Sequence, residues 1–198
     1  SLTLFLMDHG ERDAFYLNGA NQTLTADQLD TWLTQLETQT GARVNIVIEA
    51  CHSGSFIDAP QSVSKGGRVV IASTGADALA YASQRGAIFS DAFLASLEQG
   101  LTLREAFEDA AWRTAAAHPY QLAALDDNGN AIANEPLDGT LAAQRGFACT
   151  EVLPAQQFPP YVVWSEVKRL QEQRGQGEIW AEVRDDREVR DVWAAVYP

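Results

Sequence analysis

Two residues whose side chains could act together in catalysis each follow a short apolar segment. Cys51 comes just after Val44–Ile48, and His9 comes just after Leu2–Met7. Both segments are too short for helices, and the first is mostly β-branched, which predicts buried β-strands. Because open α/β sheets place active sites at the carboxyl ends of their strands, we expect the thiol and the imidazole to emerge at one sheet edge. This pairing predicts a cysteine nucleophile with a neighbouring histidine.

The chemistry that this pair supports is acyl transfer. A thiolate on Cys51 would attack a carbonyl carbon, and the imidazole of His9 would protonate the leaving amine. The backbone N–H groups of Gly10 and Cys51 would stabilise the oxyanion, since a residue without a β-carbon lets its N–H approach closely. Glu49 is predicted to pack or to orient its neighbours rather than to act as a base. Small residues at Ser53–Ser55 permit a sharp turn and the close approach of a substrate backbone.

Structural roles are the alternative for each of these side chains. Cys51 could be a small buried apolar residue at a strand end, and His9 a hydrogen-bonded structural histidine. The presence of both at matching strand ends favours the catalytic interpretation. Ser53 lacks the strand–Gly-x-Ser-x-Gly–helix context of a serine nucleophile. His52 is predicted to line a loop, and Cys149 to be structural.

The residues between the two strands supply the crossover that would make them parallel. Ala14–Leu17 is predicted to be a strand that runs into an Asn-Gly turn. Thr25, with Gln28 three residues later, is a capping box that starts a helix, and Gly41 ends that helix. Residues 1–50 therefore predict a strand, a hairpin, a helix and a second, parallel strand.

Further strands and helices extend this pattern. Phe56–Gly67 is predicted to be an exposed loop, and Arg68–Ala72 a third buried strand. Helices are predicted over Ala87–Leu97 and Thr102–Ala117, and the second begins with another capping box. The alternation of strands and helices favours an α/β fold with a mostly parallel sheet.

The segment Asp126–Gly139 has oxygen-bearing side chains at alternate positions, as calcium loops do. Asn130 replaces an acid, Ala131 stands where such loops have glycine, and no glutamate closes the pattern. A surface loop rich in Asn, Asp and Gly is therefore the favoured interpretation. We expect no metal site and no cofactor.

The pattern changes again towards the C-terminus. Short alternating strands are predicted over Tyr161–Val167, Glu178–Val183 and Val189–Tyr197. They are typical of the start of an immunoglobulin-like β-sandwich. The predicted organisation is an α/β domain over 1–153, a linker over 154–160 and a partial β-rich module over 161–198.

The composition makes some partners unfavourable. The chain has 198 residues and a formal net charge of −13. Such a charge repels phosphate backbones, so nucleic acid and anionic membranes are poor partners. No apolar run is long enough to span a membrane, and no signal-peptide pattern opens the sequence. The two cysteines lie outside any CxxC pattern, which argues against a zinc site. Because the sequence begins inside an apolar strand, we expect a fragment of a longer chain.

The two strand-end motifs together resemble those of a known family. Asp8–Gly10 (Asp-His-Gly) and Glu49–Ser55 (Glu-Ala-Cys-His-Ser-Gly-Ser) are similar to the motifs of legumain-like cysteine peptidases of the caspase–haemoglobinase fold. The resemblance covers about residues 2–150 and includes Ile71–Ala82. It implies a caspase-like three-layer α/β sandwich with a mostly parallel sheet, without its first strand and followed by a short β-rich segment.

The resemblance also assigns roles to individual residues. It implies His9 and Cys51 as a catalytic dyad and Gly10 with Cys51 as the oxyanion hole. It further implies a substrate side-chain pocket near Ser73, Thr74 and Asp77. Either Asp77 or Asp91 could favour arginine or lysine in that pocket.

The resulting functional prediction is a cysteine endopeptidase that cleaves polypeptides after asparagine or a basic residue through a thioester acyl-enzyme. A transpeptidase would use the same intermediate. The alternative is a catalytically silent caspase-like interaction domain attached to an adhesion-type β-module. The β-rich segment resembles the immunoglobulin-like modules of secreted bacterial proteins, which favours a secreted or cell-surface location.

Overall fold

The computed structural model of the protein describes residues 2–17, 22–58, 60–83 and 86–147, together with the backbone of two C-terminal strands. The chain divides into two compact units, Ser1–Glu151 and Val152–Pro198. Within the described residues, the first unit contains the strands and α-helices β1 (Leu2–Met7), β2 (Gly10–Glu11), β3 (Ala14–Leu17), β4 (Gln22–Thr25), α1 (Ala26–Thr40), β5 (Val44–Glu49), β6 (Val69–Ala72), α2 (Ile88–Glu98), α3 (Leu103–Ala117) and β7 (Ala124–Asp126).

The main sheet of this unit has the strand order β1-β5-β6-β7. β1 is parallel to β5, and β5 is parallel to β6, whereas β7 runs antiparallel to β6. The register pairs Leu2 with Val44 and Met7 with Glu49, so β1 and β5 end at the same level. The predicted α/β class with a mostly parallel sheet is confirmed.

Helices cover both faces of the sheet. Ile46 and Ile48 in β5 pack in one buried cluster with Leu29 and Leu33 of α1. Val47 points the other way, because successive side chains of a strand alternate. Its cluster on that face contains residues of α2 and α3: Phe89, Phe93, Leu103, Ala106 and Ala110. Burial of each large apolar side chain contributes about 1.5–3 kcal/mol, so the two clusters hold the three layers together.

The two longer helices begin and end as their sequences predict. Thr25 accepts a hydrogen bond from the Gln28 N–H, and the Gln28 side chain reciprocates, which caps α1. Gly41 ends α1 with φ of 67°, a left-handed conformation that favours glycine. The same reciprocal box joins Thr102 and Glu105 at the start of α3. Both boxes act locally, and for that reason they could be recognised in the sequence.

The connection from β1 to α1 is a small antiparallel sheet of β2, β3 and β4. The predicted turn at 18–19 lies outside the described residues. Leu24 and Phe15, on adjacent strands of this sheet, are buried against the α1 side of the main sheet. None of the described helices is long and apolar enough to cross a membrane.

The segment Phe56–Gly67, predicted to be an exposed loop, is exposed at residues 60–61 and 65–67, but the prediction is wrong for its apolar side chains. Phe56 and Ile57 are each 1% exposed, and Val63 is fully buried in the cluster of α1. In its described residues, the connection from β5 to β6 has a 3₁₀ turn at Ser53–Phe56 and no α-helix. Its apolar side chains therefore supply the cover that a crossover helix gives to a parallel sheet.

A buried cation follows that segment at the start of β6. The Arg68 side chain is fully buried and forms ion pairs with Asp30 at 2.8 Å and Glu37 at 2.7 Å, both on α1. It also donates to the Val63 carbonyl. Hydrogen-bonded partners of opposite charge are what a guanidinium needs to remain inside a protein.

The acidic loop after β7 uses its carboxylates to bind its own backbone. Asp126 accepts hydrogen bonds from three backbone N–H groups, and Asp127 accepts three others. Asp138 accepts from the Asp127 and Glu135 N–H groups. These bonds are typical of an Asx-rich loop, the interpretation favoured from the sequence. Across the residues that the structure covers, no group of three or more His, Cys, Asp or Glu is placed to hold a metal ion.

The second unit contains an antiparallel pair, β8 (Tyr161–Gln171) and β9 (Gln176–Arg184). Two of the predicted C-terminal strands are thus present and longer than expected. A two-stranded hairpin alone does not show an immunoglobulin-like module. Three other predictions, the linker over 154–160, the strand over Val189–Tyr197 and the role of Cys149, lie outside the described residues.

Candidate active site

The candidate active site lies where β1 and β5 end side by side. Met7 pairs with Glu49, and the next N–H, that of Asp8, donates to the Glu49 carbonyl at 3.2 Å. The segments that follow β1 and β5 then leave the sheet side by side, the first towards His9 and the second towards Cys51. The parallel register therefore brings both predicted catalytic segments to one edge.

Gly10 packs closely against the segment that carries Cys51. A β-carbon on Gly10 would lie 2.9 Å from the Cys51 carbonyl oxygen and 3.0 Å from the Ala50 β-carbon. Only glycine fits there without a shift of the backbone. His9 is exposed, and its backbone is fixed on both sides by the Asp8 carboxylate (2.7 Å) and the Tyr16 N–H (3.0 Å).

Cys51 is partly exposed, and its thiol faces a neighbouring loop. The sulfur lies 3.8 Å from the Ala80 carbonyl oxygen, a weak hydrogen bond. The next residue, His52, has φ of 61°, so the chain turns sharply behind the nucleophile. The His52 Nδ1 lies 3.0 Å from the Ala76 carbonyl oxygen. Because a carbonyl can only accept, Nδ1 is the ring nitrogen that donates in this contact.

The small residues after His52 serve close packing. Gly54 is buried, and a β-carbon there would lie 2.7 Å from the Ala76 nitrogen. Ser55 donates to the His52 carbonyl at 2.7 Å and accepts from the Asp13 N–H at 2.8 Å. The turn thus joins the nucleophile to two neighbouring loops. The expected approach of a substrate to this turn is replaced by an approach of the protein's own backbone.

The three predicted pocket residues do not share one surface. Ser73 and Thr74 are fully buried. The Ser73 hydroxyl lies 3.4 Å from that of Ser53, and the Thr74 hydroxyl donates to the Leu79 carbonyl at 3.2 Å. The Asp77 side chain is 90% exposed. Ser73 and Thr74 therefore shape the site from within, and only Asp77 presents its side chain to solvent.

An arginine that the sequence did not single out engages Asp77. Arg12, in the turn between β2 and β3, forms ion pairs with Asp77 at 2.8 Å and Asp58 at 2.9 Å. It links three loops around the nucleophile. A lone arginine in a turn carries no motif, so only the folded contacts reveal this role.

Glu49, two residues before the nucleophile, is 3% exposed. Its Oε2 accepts hydrogen bonds from the Ser90 N–H at 2.9 Å and the Ser90 hydroxyl at 2.7 Å, in the first turn of α2. Burial raises the pKa of Glu49, and the nearby charge of Asp91 adds to this, although the bonds from Ser90 act in the opposite direction. Glu49 therefore orients α2, as the sequence predicted, from a position behind Cys51.

Asp91, which follows Ser90 in the sequence, is a second acidic residue in this region. It lies in the first turn of α2, and the Ser83 hydroxyl donates a hydrogen bond to it. A β-carbon on Gly86 would lie 3.8 Å from Asp91 Oδ1 and 3.0 Å from the Met7 Cε atom. Asp91 is thus close to the end of β1, whereas Asp77 is drawn towards Arg12.

Comparison with known proteins matches the chain to a family by sequence and to solved structures by fold. Residues 1–133 match the sequence model of the peptidase C13 family. No curated protein matches the chain. The crystal structure of caspase-1 from Spodoptera frugiperda is similar at a TM-score of 0.49 and 16% identity, covering 64% of this chain. The chain spans 59% of the length of that caspase.

Proposed function

The chain belongs to the peptidase C13 family of cysteine peptidases, and on that premise we propose that it hydrolyses peptide bonds with Cys51 as nucleophile and His9 as general acid and base. We assign this activity to the domain predicted over residues 1–153. The division into a linker over 154–160 and a β-rich module over 161–198 is part of the same proposal.

The observation that carries this proposal is the contact of Gly10 with Cys51. A β-carbon on Gly10 would lie 2.9 Å from the Cys51 carbonyl oxygen, so the residue after His9 touches the backbone of the nucleophile. Cys51 is partly exposed and His9 is exposed, which is consistent with access by an extended peptide. A thiol and an imidazole at one open edge are what acyl transfer requires.

Each step of the proposed reaction assigns a proton. The Cys51 thiolate attacks the carbonyl carbon, and the C–N bond breaks as the His9 imidazolium gives its proton to the leaving amine. Water then attacks the thioester while His9 takes its proton. The C–S bond breaks, which releases the carboxylic acid product and regenerates the Cys51 thiolate.

The oxyanion of each tetrahedral intermediate needs N–H donors, which we assign to Gly10 and Cys51. The Tyr16 N–H donates to the His9 carbonyl. Gly10 and its partner Phe15 are therefore a non-hydrogen-bonded pair, in which the Gly10 N–H points away from β3. A backbone donor oriented in this way supports its use as half of an oxyanion hole.

We propose that the enzyme prefers arginine, lysine or asparagine before the scissile bond, and that Asp91 rather than Asp77 is the main acidic determinant. Asp77 is already paired with Arg12. Asp91 and Glu49 are carboxylates on the α2 side of the nucleophile. Ser73 and Thr74 would contribute through their backbone, since their hydroxyl groups bond within the protein.

The test is covalent labelling of the whole chain by a peptidyl acyloxymethyl ketone with lysine, arginine or asparagine next to the warhead. Wild-type protein should become labelled on the peptide that contains Cys51, and Cys51→Ala should abolish the label. Cys149→Ala is the matched control and should label as wild type does. Absence of label on wild type, or label that survives Cys51→Ala, would contradict the proposal and favour a silent interaction domain.

A further inference from the structure

The loop over residues 73–81, termed the 73–81 loop, runs from the carboxyl end of β6 past the nucleophile. Its Ala80 carbonyl oxygen lies 3.8 Å from the sulfur of Cys51. The His52 N–H donates to the Ala78 carbonyl at 2.8 Å. The backbone of this loop therefore forms the wall beside the thiol, and its placement sets what a substrate meets there.

One buried side chain from outside the loop holds both of its ends. Gln121 is fully buried, although its neighbours Tyr120 and Leu122 are 87% and 60% exposed. Its Oε1 accepts from the Tyr81 N–H at 3.0 Å, and its Nε2 donates to the Ser73 carbonyl at 3.1 Å. A primary amide carries an NH₂ donor group and a carbonyl acceptor on the same plane, so one side chain can bond both of these backbone groups.

Ala80, whose carbonyl contacts the thiol, lies between Leu79 and Tyr81, and both of these residues are held by hydrogen bonds. The Thr74 hydroxyl donates to the Leu79 carbonyl at 3.2 Å, and Gln121 holds Tyr81. The Tyr81 ring also stacks on His118, with ring centroids 4.3 Å apart. Ala80 is therefore fixed on one side by Thr74 of the same loop and on the other by Gln121 from outside it, and removal of the Gln121 amide frees the Tyr81 side.

We propose that Gln121 is a positioning residue of the peptidase reaction, which holds the 73–81 loop so that Ala80 stands at a set distance from Cys51. The inference rests on the proposed function. Gln121 touches neither the sulfur nor any reacting atom. Its loss should therefore weaken peptide binding more than it changes the intrinsic reactivity of the thiol.

The chain offers a matched control in Asn45, which among the described residues is the other buried amide that bridges two elements. Asn45 donates to the Thr3 hydroxyl at 3.1 Å and accepts from Arg145 at 2.9 Å, at the amino end of β5. Its loss likewise removes one donated and one accepted hydrogen bond, here to the side chains of Thr3 and Arg145, far along the strand from Cys51. Any difference between Gln121→Met and Asn45→Leu therefore reports position and not the general cost of a lost buried amide.

The experiment compares these two variants in the full chain by amide hydrogen exchange and by cleavage of fluorogenic peptides with Arg, Lys or Asn before the scissile bond. Gln121→Met should speed exchange over residues 73–81 and raise KM by about tenfold or more, while iodoacetamide alkylates Cys51 within about twofold of the wild-type rate. Asn45→Leu should leave exchange in that loop and KM unchanged. Unchanged exchange over 73–81 in Gln121→Met would overturn the inference. An inactive wild type would instead contradict the proposed function, and the exchange result would still decide the role of Gln121.

A second variant of Gln121 tests the hydrogen bond that its side chain donates to the Ser73 carbonyl. Gln121→Glu keeps the acceptor for the Tyr81 N–H, but its carboxylate cannot donate to the Ser73 carbonyl until it is protonated. The ratio of variant to wild-type kcat/KM should therefore rise as pH falls from about 7 to about 5. A ratio that is flat or falls would contradict the assigned bond.

Discussion

Gly10 lies against the carbonyl of Cys51, with space for a hydrogen but not for a β-carbon, which would come within 2.9 Å of the oxygen. This contact joins the strand end that carries the histidine to the strand end that carries the thiol. It follows from the register of β1 on β5, in which Met7 and Glu49 are partners. The identity of residue 10 is therefore tied to the geometry of the whole site.

Gly10→Ala should lower kcat/KM for peptide cleavage by about 10²–10³-fold, because the added methyl displaces the proposed oxyanion donor from Cys51. The measurement is steady-state hydrolysis alongside thermal unfolding. Gly66→Ala is the control, since a β-carbon at Gly66 meets no atom within 4 Å. Full activity in folded Gly10→Ala would remove Gly10 from the oxyanion hole.

The two candidate acids for substrate selection can be separated by matched substitutions. Asp91→Asn should reduce kcat/KM after Arg and Lys by at least about tenfold and affect cleavage after Asn less, because a positive side chain loses its partner. Asp77→Asn should leave this preference intact, since Asp77 is 90% exposed and paired with Arg12. Cleavage of peptide libraries that vary the residue before the scissile bond would measure the preference of each variant. The opposite pattern would assign selection to Asp77.

The buried carboxyl of Glu49 should make stability depend on pH. Burial holds its pKa above the ordinary value of 4.5, so the folded protein binds this proton more tightly than the unfolded chain. Its contribution to the free energy of unfolding is fully present below the unfolded pKa and is lost as pH rises through the folded pKa.

Glu49→Gln cannot ionise and keeps an oxygen for Ser90. The free energy of unfolding of wild type relative to this variant should therefore fall as the pH rises from below the ordinary value of 4.5 through the folded pKa. Urea titrations across that range measure the difference. A constant difference would mean that Glu49 has the same pKa in the folded and unfolded states.

Local signals predicted much of this architecture, and the errors occur where local signals are absent. The capping boxes at Thr25 and Thr102 are formed by residues three apart, and both helices begin where the sequence indicated. The burial of Phe56 depends on the absence of a crossover helix, which no short window of sequence contains. Gln121 and Arg12 bond residues 40 or more positions away, so their roles appear only after folding.

Some features of the candidate site were also predictable from the sequence, and others were not. The placement of His9, Gly10 and Cys51 at one edge follows from strand ends and parallel pairing, which alternation of strands and helices predicts. The resemblance implies a substrate pocket near Ser73 and Thr74, and the side chains of both are fully buried. Their orientation depends on how the chain turns after β6, and several turns are compatible with Ser-Thr-Gly.

Arg68 is a test of the fold at a distance from the site. Arg68→Ala should reduce the free energy of unfolding by about 3–5 kcal/mol, because it leaves Asp30 and Glu37 without their buried partner. Lys65→Ala is the matched control: Lys65 pairs with the same Asp30, but its side chain is 46% exposed, so the loss should be below about 1 kcal/mol. Chemical denaturation compares the two. Equal losses would show that burial of the guanidinium adds nothing.

The central claim is that Cys51 and His9 together cleave peptide bonds. Its most direct test is kcat/KM at neutral pH for fluorogenic peptides with Arg, Lys or Asn before the scissile bond, measured on wild type, Cys51→Ala and His9→Ala, with folding checked by thermal unfolding. The wild-type protein should cleave at least one of these peptides, and each variant should lose about 10³-fold or more. Cleavage that persists in Cys51→Ala or His9→Ala, or a folded wild type that cleaves none of the peptides, would contradict the claim.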